Sequence, residues 1–230
     1  MYCADIGSVA RGHFGWARSE EQGEVRSRHG GTEIVDLVEA VAADLGGGRA
    51  VALGFECPLF VPVTEQPLRL GAARAGEGNR SWSAGAGAGS LVTGLVQVTW
   101  VLSELHKRVP AAPFYLEWPT FEGAGSGLLL WEAFVTDQAK GDSHVDDATI
   151  AALAFREQIR AQSAVSAERP LSLVGVALLW GGWSTDLSLL HSVCVVIKPP
   201  PPPITLTDVV SDSPAEPRAR PDQRRRNARS

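Results

Sequence analysis

Six apolar residues in succession, Ala50-Val51-Ala52-Leu53-Gly54-Phe55, run without a polar break into Glu56-Cys57-Pro58. A strand with one wet face alternates apolar and polar residues. A short unbroken apolar run is the mark of a strand covered on both faces, and the proline ends it. A strand of that kind needs a sheet with helices packed on either side, so the remaining chain must supply them.

It does so in alternation. Tyr2–Ile6 and His13–Arg18 read as strands separated by a turn at Arg11-Gly12, with a third short strand near Gly23–Arg28. Thr32 reads as an N-cap, and Ile34, Leu37, Val38, Val41 and Leu45 follow at helical spacing until Gly46-Gly47-Gly48 stops them. Thr64–Gly89 is loop-like and rich in Gly, Ala and Arg, with Ser83–Ser90 its most flexible piece. Leu91–Lys107 carries apolar residues all round and predicts a largely buried helix. Strands are expected at Phe114–Glu117 and Leu128–Phe134, and a helix over His144–Gln162. Leu171–Leu179 and Ser192–Ile197 predict a strand pair or a helix followed by a strand. This order predicts an α/β fold with a mixed central sheet flanked by helices.

Composition narrows the setting. Five prolines begin at Pro199, and the segment 199–230 holds six arginines against four acids. That segment is expected to be a disordered Pro/Arg-rich tail, with the folded domain spanning residues 1–198. Three scattered cysteines, Cys3, Cys57 and Cys194, make no disulfide framework or zinc knuckle and imply a reducing compartment. The N-terminus lacks the pattern of a signal peptide. The longest apolar stretch, Leu171–Trp183, is broken by Ser172, Gly175, Gly181 and Gly182, so no membrane span is expected and the location is expected to be cytoplasmic. A net charge of −5 argues against broad electrostatic capture of nucleic acid, although a local basic groove remains compatible with it. Trp82, beside Arg80, could stack on a base, but anchoring its loop or entering the core is the expected role. Trp180-Gly-Gly-Trp183 is expected to pack on the sheet.

Chemistry concentrates in acids at strand and helix ends. Asp5 lies in the first strand, Glu56 closes the most apolar one, and Glu117 and Glu132 fall in the strands after it. His144, Asp146 and Asp147 open the helix near residue 144, where His144 and Asp147 share a face. Buried carboxylates repel one another unless they are paired or neutralised by a cation, and oxygen-rich clusters suit Mg²⁺ or Mn²⁺. Each acid also has an ordinary use, such as capping a helix or closing a turn.

The stretches Ala4-Asp5-Ile6-Gly7-Ser8 with Gly15-Trp16-Ala17, Leu53–Leu59, and His144-Val-Asp-Asp147-Ala148 resemble landmarks of the ribonuclease H-like superfamily. Within it they most resemble a group of uncharacterised predicted nucleases and, more distantly, the RuvC-type Holliday-junction resolvases. Those families place an Asp on the first strand, an acid at the end of the fourth and an Asp in the last core helix. The resemblance implies a ribonuclease H-like layered fold and a divalent-metal-dependent nuclease. Its catalytic and metal-binding residues would be Asp5, Glu56 and Asp147 with His144 as a fourth ligand, its cofactor Mg²⁺ or Mn²⁺, and its substrate DNA, RNA, a junction or a small phosphoester. The Glu-Trp-Pro segment at Glu117 and the nearby Glu132 and Asp146 leave open whether a further acid joins the site. Resolvase-like relatives often pair, so a homodimer is the assembly the resemblance implies. The rival reading from another class is a non-catalytic ribonuclease H-like binding or scaffold protein. A phosphotransferase is disfavoured, because no phosphate-binding Gly motif is present.

Overall fold

The computed structural model describes residues 1–19, 29–75, 77, 81–134, 140–161 and 169–198. The expected strand at 23–28, the tail 199–230 and Arg80 lie outside the described residues.

The apolar run forms β4 (Ala50–Phe55), which pairs in parallel with β1 (Tyr2–Asp5) on one side and β7 (Gly127–Ala133) on the other. Both of its faces are covered, as its composition requires. β2 (Gly15–Arg18) runs antiparallel to β1, and β3 (His29–Gly31) antiparallel to β2. β6 (Phe114–Tyr115) lies parallel to the first half of β7, and β9 (Val195–Ile197) parallel to its second half. The result is a mixed seven-stranded sheet in the order β3-β2-β1-β4-β7-β6, with β9 joined to β7.

Alternation along the strands sends side chains to two cores. Tyr2, Ala4, Leu53, Phe55, Leu128 and Leu130 face one layer. That layer contains α1 (Ile34–Gly46), α2 (Gly85–Arg108) and α5 (Leu173–Trp180). Cys3, Ala52, Leu129, Trp131 and Ala133 face the other, under α3 (Trp118–Ala124) and α4 (His144–Gln158). Helices thus flank a mixed central sheet.

Several boundaries differ from expectation. α1 has Glu33 at its N-cap and no side-chain cap, so Thr32 does not cap it. α2 begins at Gly85, taking in the Gly/Ala stretch that reads as loop, although none of residues 85–90 is buried. Its inner face buries Gly94, Val98, Val101, Leu102 and Leu105, whereas Val92, Leu95, Val96 and Trp100 are exposed. It is therefore amphipathic, not largely buried. It is also the one helix among the described residues long and apolar enough to cross a membrane, where the sequence points instead to Leu171–Trp183.

The strand expected over Phe114–Glu117 stops at Tyr115, and Glu117 becomes the N-cap residue of α3. α4 ends at Gln158 in a short 3-10 turn over Ile159–Ala161, short of the expected Gln162. Two short strands, β5 (Phe60–Pro62) and β8 (Pro170–Ser172), form a separate antiparallel ribbon. Leu171–Leu179 thus divides between β8 and α5, and β9 follows later, which is the helix-then-strand alternative. Trp183 donates to the Leu102 carbonyl (2.7 Å), but Trp180 is 80% exposed and does not pack on the sheet.

Candidate functional site

Asp5 is the last residue of β1, and the alternation that buries Cys3 turns Asp5 to the face covered by α4. Opposite Asp5 in the sheet register stands Gly15 of β2. A Cβ at Gly15 would lie 2.5 Å from the His144 carbonyl carbon and 2.6 Å from the Val145 nitrogen. The missing side chain thus lets the first turn of α4 sit directly on the sheet. Ser143 caps that turn by accepting from the Asp146 amide.

This seating brings His144 Nδ1 to 2.5 Å from Asp5 Oδ2. Asp147, one turn further along α4, accepts the Gly141 amide on Oδ1 (2.6 Å). One ligand atom each from Asp5, His144 and Asp147 lies within 4.8 Å of the others. The exposed His13 ring is 5.6 Å from that of His144.

Glu56 follows β4 directly, and its amide donates to the Ala4 carbonyl (2.8 Å), which fixes it beside the end of β1. Its carboxylate and that of Asp5 both raise the Cys3 thiol, after the larger effect of burial. Glu56 lines one cleft with Asp5, His144 and Lys140, but it stands outside the tight Asp5–His144–Asp147 group.

Burial pushes the Asp5 carboxyl above the ordinary aspartate range. The His144 hydrogen bond and charge pull it back, the Asp147 carboxylate raises it, and the Lys140 ammonium lowers it. A cation placed here would relieve that repulsion. Neighbouring donors on one octahedral Mg²⁺ stand about 3 Å apart and opposed ones about 4 Å. The spread of the three donor atoms, within 4.8 Å, is of that order, so two carboxylates and an imidazole could share one such ion. At 2.5 Å the Asp5–His144 contact is a hydrogen bond, so in this state His144 orients the Asp5 carboxylate.

The other acids have different work. Glu132, on β7, faces away from α4 and accepts a bidentate pair from Arg74 (3.0 and 2.6 Å) and the Leu59 amide (2.9 Å). It lines the cleft but is occupied by an ion pair. Asp146 is engaged with the Ser143 hydroxyl. Glu117 is exposed and lines a separate hollow with Tyr115 and His191. Arg74 is therefore no surface cation available to nucleic acid: it is buried among carboxylates. Trp82 anchors its loop, donating from Nε1 to the Ala72 carbonyl (3.0 Å).

No protein-family model matches the chain, and searches of curated proteins and of solved structures find no significant match. What the site does must be read from its own chemistry. Sequence reasoning missed Lys140 and His13, which lie beside the acids only once α4 is seated on β2. It also missed Glu77, which lines the same cleft.

Proposed function

We propose that this chain is a divalent-metal-dependent nuclease with a ribonuclease H-like fold, hydrolysing phosphodiester bonds in the cleft above Asp5. The observation that carries the reading is the meeting of Asp5, His144 and Asp147 within 4.8 Å, from elements distant in sequence. An Asp ending the first strand and a Glu directly after the fourth follow the order that the resemblance implies, while Asp147 lies in a helix that is followed by one more core helix, α5.

In this reading Asp5 and Asp147 would hold Mg²⁺ or Mn²⁺, and Glu56 would add a donor from the cleft wall. The bound cation supplies a water activated at neutral pH and stabilises charge on the phosphoryl oxygens. His144 keeps the Asp5 carboxylate oriented through Nδ1. Lys140 reduces the negative potential that a phosphate meets on approach.

Calorimetric titration with Mn²⁺ tests the metal site without a guess at the substrate. The expected result is saturable uptake by the intact protein that disappears in folded Asp5→Asn and Asp147→Asn variants, followed by Mn²⁺-dependent cleavage of DNA or RNA oligonucleotides. A wild-type protein that takes up no Mn²⁺ at millimolar concentration, alone or with an oligonucleotide, sinks the reading in favour of a non-catalytic binding module.

A further inference from the structure

α2 is apolar on two faces, and the core uses only one of them. From Ser81 to Ser103 the chain carries no charged residue. The inner face, with Val98, Val101, Leu102 and Leu105 at most 2% exposed, belongs to the core and commits the helix to the fold. The outer face is open.

Its outward positions, Gly85, Gly89, Val92, Val96, Thr99 and Ser103, alternate steps of four and three residues. That is the spacing with which one helix packs along another, here over about 27 Å. Val92 and Val96, at the middle of the row, are 65% and 66% exposed, and the exposed Trp100 flanks them. A Cβ at Gly89 would meet nothing within 4 Å, so the first half of the face is a shallow trough. The apolar surface runs on past both ends of the helix. Leu68 and Leu70 are exposed beside Gly71, whose Cβ would lie 3.5 Å from that of Ser83, just ahead of α2. At the far end the exposed Trp180 precedes Gly181, whose Cβ would lie 3.2 Å from the Ser103 amide nitrogen.

Single apolar residues on a surface need no partner, but a continuous patch does. The side chains of this one expose on the order of 800 Å², which is what each partner contributes to a standard interface. The patch is also its own complement. Turned antiparallel about an axis level with Gly94, a second α2 sets Val96 against Val92, Trp100 over the open Gly89, and Ser103 against Gly85. Trp180 then points toward Leu68 and Leu70. Every contact occurs twice, as a two-fold interface requires. Two chains of net charge −5 meet without repulsion only on an uncharged face, and the same net charge disfavours an anionic lipid surface.

We propose that the outer face of α2 is the interface of a homodimer in which two α2 helices pack antiparallel across a two-fold axis. The dimer does not depend on the chemistry of the Asp5 site, so it stands or falls apart from the nuclease reading.

Sedimentation equilibrium of the full chain, at concentrations from about 1 to 100 μM, tests it. The wild type is expected at twice the 24.4 kDa chain mass. Val96→Glu is expected to raise the dissociation constant at least about a hundredfold, because it buries unpaired carboxylates beside the axis. Gly89→Leu fills the seat of Trp100 and is expected to weaken the dimer at least about tenfold. The same change should leave the monomer's melting temperature no lower, since leucine is the better helix former. Should Val96→Glu not fold, Gly89→Leu decides alone. Combined with Trp100→Ala, Gly89→Leu should cost less than the sum of the two single losses. A wild type still monomeric at the highest concentration overturns the proposal, and flotation of that monomer with phosphatidylcholine vesicles would assign the face to lipid instead. A dimer indifferent to Val96→Glu, or strictly additive losses from Gly89→Leu and Trp100→Ala, overturns it equally. No metal enters these measurements, so a failure of Mn²⁺ binding leaves their result untouched.

Discussion

Asp5 is held at a cost to the fold. Its folded carboxyl is raised, so its contribution is stabilising below the ordinary aspartate pKa of about 3.9 and is lost as pH climbs through the raised value. At pH 7 the ionised group therefore weakens the metal-free protein. Asp5→Asn is expected to melt at or above the wild-type temperature at pH 7, with the difference shrinking toward pH 4. The wild type should gain stability from Mn²⁺ and the variant should not. Melting curves at both pH values with and without Mn²⁺ check this, and a variant that Mn²⁺ stabilises equally would separate Asp5 from any metal role. The thiols give a second residue-scale expectation. Cys3, Cys57 and Cys194 are all buried, and burial pushes each well above the ordinary thiol range. None should react with a disulfide reagent in the native protein, and all three should react after denaturation. Asp5, His144 and Asp147, singled out in the sequence because they end a strand or open a helix, do come together in space, whereas Glu56, singled out in the same way, stands outside that group. The partner of Glu132 was not legible there, since Arg74 lies 58 positions away and reads as one more basic loop residue.

At the scale of elements, the site depends on how closely α4 approaches β2. Gly15→Ala would drive a methyl into the α4 backbone, and overpacking of this kind costs about 1–3 kcal/mol. For a protein of this size that is a fall of roughly 2–12 °C in Tm. Loss of the Asp5–His144 contact is expected with it, visible as a displaced His144 ring resonance. An unshifted ring in a folded Gly15→Ala protein would show that the helix start tolerates the methyl. Element type followed hydrophobic pattern, an unbroken run for β4 and a helical spacing for α1 and α4, which is why these three were readable in the sequence. Failures came where the local signal was short or pointed elsewhere. The glycines of 85–89 argue for loop, yet they open the long helix α2. The seven-residue α3 is too short to display a period, although Pro119 in its first turn was an available signal.

For the molecule as a whole, charge bears on what the cleft can bind. A net −5 with Lys140 lining the cleft offers few contacts to a phosphate backbone. Binding of a single-stranded oligonucleotide, measured with Ca²⁺ to hold back hydrolysis, should weaken only gently with salt. A log–log slope shallower than about −2 is expected, the signature of about three phosphates or fewer. A steeper slope would place a basic surface elsewhere on the chain. The coarse layering of helices on a mixed sheet could be read from the order of elements, but the order of strands could not, because it is set by pairings between distant segments.

The divided flank of β7 also bears on how the protein is made. β6 covers the first half of that strand, while the second half waits for β9, about 60 residues further along the chain. At ribosomal speeds of 5–20 residues per second the outer edge of Trp131–Ala133 lacks its β9 partner for roughly 3–12 s in a nascent protein. An apolar edge left open that long invites pairing with another chain.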